Sequence, residues 1–215
     1  MNKTRASDIN AGVRIEVVTI LWMLIEMTIS IGAGIAAKSV LLTAFGLDSL
    51  IELVSGSILL WRLSTENQGG DLKSVDQAER RATWIVAVTL GLLCAYVLIS
   101  SVYGLITHAK PEISVIGIGV SAAALLIMPF LAVSKRRISK RIESAALAGD
   151  ATNSITCAIM AGTVLVGLVL NTLFGWWWAE YLAALVFLVW LIKETVEVFE
   201  GTREKKNQMG GNNQG

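Results

Sequence analysis

The sequence has one histidine, two cysteines and two prolines in 215 residues, and only 16% of it is charged. An ordinary soluble domain is about 25% charged. Scarce charge beside 54% hydrophobic residues argues against a soluble core and for helices in lipid. Cys94 and Cys157 both fall inside apolar segments, so they supply no disulfide framework. His108, in the loop THAKPE, reads as a solvated loop residue rather than a metal ligand. A membrane enzyme using Cys157 as nucleophile would need a base beside the thiol, and no histidine is at hand for it. No basic patch interleaved with aromatics is present, which removes nucleic acid from the partners. The opening MNKTRASDINAGVRIEVV is polar for too long to be a cleaved leader, so the first apolar segment is expected to stay as a span.

What is abundant is long apolar runs. A helix crosses the hydrocarbon in about 20 apolar residues. Six runs of that order occupy residues 13–37, 39–63, 82–107, 113–133, 145–172 and 177–198. They predict an all-α membrane protein of six transmembrane helices. A polar N-terminus covers 1–14, the helical domain 15–200, and a polar, Gly- and Asn-rich tail 201–215 that is expected to be disordered. Between the second and third runs, QGGD marks a turn and VDQAERR could begin a helix. Alternate loops divide the basic residues unequally. Sixteen of the 18 Lys and Arg fall on the side of the termini, and only Lys38 and Lys110 on the other. The positive-inside rule then places both termini in the cytoplasm. Trp176, Trp177 and Trp178 stand at the turn before the sixth run, where an interfacial anchor belongs.

Inside these runs stand four acids: Glu26, Asp48, Glu52 and Asp150. An Asp at mid-membrane costs roughly 2.5–3.5 kcal/mol on insertion scales, and such residues usually face a partner, a cavity or an ion path. By sequence, no Lys or Arg lies deep in a span to neutralise them, since Arg14, Arg62 and Lys193 sit near helix ends. The acids must then be protonated, hydrated or matched by a cation from outside the chain, and several acids in a protein of this size suggest a cation path. Asp48 and Glu52 are one turn apart on one helix face, so their carboxylates can converge on one ion. On the fifth helix Asp150, Asn153, Ser154 and Cys157 share a face. Asp150 and Cys157 are separated by about 10.5 Å along the axis, too far to bind the same ion directly. Counted from the outer ends, Glu52 and Cys157 lie at similar depth, on the order of 20 Å in. The expected metal site is therefore Asp48, Glu52, Asn153 and Cys157, with Asp150 receiving the ion on the cytoplasmic side or replacing Asn153. Glu26 is a candidate proton relay or a hydrogen-bond partner of a neighbouring helix, and Cys94 reads as packing. Two carboxylates, an amide oxygen and a thiolate suit zinc or cadmium, the amide pulling toward manganese.

The stretch SVLLTAFGLDSLIELVSGSILLWRLS resembles the second transmembrane helix of the cation diffusion facilitator (cation efflux) family. SAALAGDATNSITCAIMAGTVLVGLVLNTLFGWWWAEYLAALV resembles that family's fifth helix, turn and sixth helix. Asp48 and Glu52 stand where the family has an acid or His, three residues, then Asp. Asn153 and Cys157 stand where it has His or Asp, three residues, then Asp, and Asp150 matches an acid often found just before. Glu52, Asn153 and Cys157 depart from the usual residues. The chain also reads as a short member without the cytoplasmic metal-binding domain. The resemblance implies a cation-efflux-type fold and proton-coupled efflux of a divalent cation, zinc foremost, from the cytoplasm by alternating access. It implies antiport, a homodimer and a multi-pass position in the plasma membrane. No resident cofactor is expected, and no enzymatic activity: the metal is the cargo. The alternative is a transport-inactive homologue acting as a membrane interaction or regulatory protein.

Overall fold

The computed structural model describes residues 3–68 and 73–211. Six helices follow in order: α1 (Lys3–Ala37), α2 (Val40–Asn67), α3 (Lys73–Thr107), α4 (Val115–Ile142), α5 (Ala145–Phe174) and α6 (Trp177–Gly211). The helices outrun the apolar segments that announced them. α1 begins ten residues before its apolar run, and α4 continues through SKRRISKR to Ile142. VDQAERR lies within α3 as expected, while most of the QGGD turn lies outside the described residues. α6 runs on to Gly211, into the polar stretch expected to be irregular, and 212–215 lie outside the described residues.

Five of the helices are long and apolar enough to cross a membrane, counted over the described residues. α6 carries a shorter apolar run, Tyr181 to Ile192, bounded by Glu180 on one side and by Lys193 and Glu194 on the other. It packs along α3 and α5 and belongs to the same bundle.

Local chemistry sets the helix ends. Ser39, Ser114 and Ser144 are N-caps, each accepting a backbone N–H three residues on, at 3.2, 3.0 and 3.3 Å. α5 stops at Gly175, whose φ of 65° is left-handed and whose N–H returns to Asn171 O. Together these caps start or stop the helices at the short connections before α2, α4, α5 and α6.

Glycine sets the closest helix pair. A Cβ on Gly34 would stand 2.6 Å from Thr43 N, and one on Gly46 would stand 2.8 Å from Ile31 N. Only glycine allows backbones that near. α1 and α2 are therefore drawn together inside one chain, and one stretch of small residues, SIGAGIAA, lies at this internal contact. In a second, GIGVSAAA, Gly117 faces Leu42 and Leu168, while Gly119 meets nothing within 4 Å. α2 touches α1, α3, α5 and α6 and is the most enclosed helix. Its Leu41, Leu42 and Phe45 are fully buried with Leu90, Met160, Val164 and Phe187 in the main core.

Candidate cation site

α1 presents its buried face at Ile9, Gly12, Glu16, Thr19, Met23, Glu26, Ser30, Gly34 and Ala37, the three-and-four spacing of a helix seam. Two acids thus stand in the seam itself, turned toward α2. On α2 the facing residues include Asp48, Ser49, Glu52 and Gly56. Asp48 and Glu52 are 1% and 4% exposed, and Glu26 is fully buried.

Each acid has different surroundings. Glu26 accepts from Ser49 Oγ at 2.7 Å, from Trp22 Nε1 at 2.7 Å and from the Cys157 thiol at 3.7 Å. It is therefore bonded across to α2 and α5, one of the two roles open to it by sequence. Glu52 accepts from Asn153 Nδ2 at 2.9 Å. Asp48 differs: both its carboxylate oxygens are buried without a hydrogen-bond partner among the described residues. Glu26, Glu52 and Glu194 of α6 lie within electrostatic range of it. Glu26, Asp48 and Glu52 in turn lie within range of Cys157. Cys94 is part-buried, 3.6 Å from Thr195 Oγ1.

The structure thus brings Asp48, Glu52, Asn153, Cys157 and Glu26 together, from α1, α2 and α5. It does not close them around a point. Among the described residues no three His, Cys, Asp or Glu side chains converge as a metal-holding group. Asn153 turns its amide N–H toward Glu52, so its oxygen becomes a ligand only after rotation of the side chain.

Asp150 lies elsewhere, and here the sequence reading needs correction. That reading counted Lys135 among the loop cations and left the buried acids without a protein cation. Lys135 is in fact fully buried within α4, paired with Asp150 of α5 and with Glu16 of α1 at 3.2 Å. The signal was present in the spacing. Lys135 continues the buried stripe Met128, Leu131, Ala132 toward Ser139 and Ile142, whereas Arg136 is exposed. Glu16 was overlooked because it stands near the start of the first apolar run, yet it lies on the same face as Glu26. Glu194 was overlooked because KETVEV reads as the charged end of a helix.

At the opposite end of the bundle a further acid, Glu180, accepts from Ser39 Oγ at 2.6 Å and from Asn171 Nδ2 at 2.7 Å. Asn171 also donates to Pro111 O, so this knot ties α2, α5, α6 and the loop before α4. His108 is exposed, its ring 5.4 Å from that of Trp177, consistent with a loop residue. Trp176 and Trp178 stack at 5.4 Å and are partly exposed, as an interfacial anchor would be.

A multi-pass helical bundle with a cluster of buried acids at its centre defines an integral membrane protein. The family comparison makes this specific. Residues 17–203 match the cation efflux transmembrane domain, and the chain belongs to that family, one of transporters rather than enzymes. It is also similar to Transmembrane protein 163 of Xenopus laevis, 26% identical over 152 residues covering 67% of this chain and 52% of the relative. The chain therefore spans about half the length of that curated relative.

Proposed function

We propose that this protein moves a divalent cation, zinc or one of similar softness, out of the cytoplasm across the plasma membrane. Asp48 and Glu52 bind the ion, Cys157 and Asn153 complete the set, and Glu26 relays protons. The observation carrying this reading is Asp48, buried with neither carboxylate oxygen hydrogen-bonded among the described residues. Desolvating a carboxylate costs several kcal/mol unless a partner offsets it. A charge-balancing ion is the partner that Asp48 and Glu52 together suit.

Proton coupling follows from the same chemistry. Metal ligands must be deprotonated, so ion and protons compete for the same oxygens. An inward-facing form would load metal, and an outward-facing form would release it against protons. The carboxylates, amide and thiol come from α2 and α5, so relative movement of these helices can gather or scatter the ligands. The family resemblance supports a homodimer, and the exposed apolar side chains of α3, among them Leu92, Ile99 and Tyr103, give a second copy or lipid a face to cover.

The test is flux in proteoliposomes containing a zinc-sensitive dye under an imposed pH gradient. Zinc movement that requires the gradient and vanishes in Asp48→Asn is the expected outcome. One observation favours a second reading, a transport-inactive membrane partner: Asn153 and Cys157 already hydrogen-bond to Glu52 and Glu26. Failure of zinc, cadmium, manganese, cobalt and iron all to move would decide for that reading.

A further inference from the structure

One turn toward the basic end from Glu52, the bundle holds a second charged cluster. The Lys135 ammonium lies between Glu16 at 3.2 Å, Asp150, and Ser154 Oγ at 3.4 Å. Glu16 is fully buried, and its Oε2 accepts no hydrogen bond among the described residues. That oxygen lies 3.9 Å from where a Cβ on Gly56 would stand. Gly56 follows Glu52 by four residues on the same face of α2, so the Glu16 carboxylate continues the line of Asp48 and Glu52. The absence of a side chain at Gly56 keeps that line open. On α5, Asn153, which bonds to Glu52, is three residues from Asp150. The two clusters therefore adjoin through α2 and α5.

Their charges differ in kind. The upper cluster is acidic, with no Lys or Arg shown in it among the described residues. The lower one sets two carboxylates against one ammonium, and a divalent ion in the ammonium's place would match the charge of both carboxylates once they are ionised. Its donors are all oxygens, without the thiol of the upper cluster, and oxygen sets accept harder divalent ions. The ammonium hangs on a flexible four-carbon stem, near the end of α4 and beside the exposed Arg136.

We propose that Glu16, Asp150 and Ser154 form a second station for the divalent cation, cytoplasmic to Asp48 and Glu52, and that the Lys135 ammonium is its built-in occupant, exchanged for each ion that passes. This deepens the cation-transport reading of the bundle and rests on it. An ion arriving from the cytoplasm displaces the ammonium. When the ion moves on to Asp48 and Glu52, Lys135 returns to its carboxylates and closes the way back.

The experiment isolates the lower station. The full chain carrying Asp48→Asn and Glu52→Gln is purified, and Mn²⁺ alone is the probe, with free ion counted by paramagnetic resonance. Adding Lys135→Gln to that background is expected to tighten Mn²⁺ binding by about tenfold or more, to one ion per chain, and Asp150→Asn is expected to reverse the gain. Equal binding with and without Lys135 in folded protein, or a gain that survives Asp150→Asn, overturns the proposal. A second readout keeps Lys135 in place, which matters if its loss prevents folding. Mn²⁺ should raise acetylation of Lys135 by an amine reagent several-fold in the Asp48→Asn, Glu52→Gln background, read by mass spectrometry. Unchanged reactivity also overturns it. Neither readout involves transport, so their failure counts against the station alone, while failure of zinc flux in the unmodified protein counts against the transport reading.

Discussion

Asp48 and Glu180 are both acids buried in the bundle, 1% and 2% exposed, yet their surroundings are opposite. Glu180 stands in the first turn of α6 and receives a hydroxyl and an amide, with Ser39 also serving as the N-cap of α2. Each part of that knot holds another in place. Asp48 stands mid-helix on α2 and receives nothing from the described residues. A buried carboxylate with its hydrogen bonds made fixes architecture. One left without them adds cost to the fold, which the proposed transport reading accounts for by a passing ion. Burial alone therefore does not mark an ion site; in the transport reading it is burial without a partner that singles out Asp48.

The largest test of this contrast is Asp48→Asn. It should lower zinc flux on the order of 100-fold or more, because a charged ligand is lost. The melting temperature should hold or rise, because a neutral amide is cheaper to bury than a carboxylate. A protein that loses stability instead would place Asp48 with Glu180 among the structural acids. Next comes Glu180→Ala, which strands the Ser39 hydroxyl and the Asn171 amide. A loss of about 1–3 kcal/mol of stability is expected, measured by thermal or denaturant unfolding, with flux per folded molecule retained. If flux per folded molecule collapses, the outer knot takes part in transport and the contrast fails.

Smaller effects sharpen the ligand set. Cys157→Ser replaces a soft donor with a harder one, so the preference for zinc and cadmium over manganese should fall by about tenfold, read from competition in the same vesicles. An unaltered preference would make Cys157 a packing residue with a hydrogen bond to Glu26. The least effect is expected from Trp22→Phe, which removes one of the donors to Glu26 and leaves Ser49 in place. Stability should drop by about 1 kcal/mol, with little change in flux. A large loss of flux would show that the position of Glu26, beyond its presence, governs transport.

Much of the bundle was legible because lipid imposes a simple rule: helices with apolar surfaces, charges at their ends. That rule located the six segments and paired Asp48 with Glu52. It failed where a helix carried its buried face past the apolar run. Lys135 lies in SKRRISKR, which reads as a basic loop by composition, but its spacing from Met128, Leu131 and Ala132 turns it inward. The error reached Asp150, read as an acid with no cationic partner when it holds a lysine. Glu16 and Glu194 escaped notice for the same reason, since acids close to the ends of apolar runs normally face water.

By itself the sequence determined the class of protein, the number of helices, the face shared by Asp48 and Glu52, and the family, because hydropathy, charge placement and short spacings are local properties of the chain. Tertiary structure alone decided which acids are satisfied and which are not. Whether Glu26 meets Ser49, Asn153 meets Glu52 or Lys135 meets Glu16 depends on helices far apart in the chain. Their approach is set by glycine contacts such as Gly34 against Thr43, and the balance of charge inside the bundle follows from that packing.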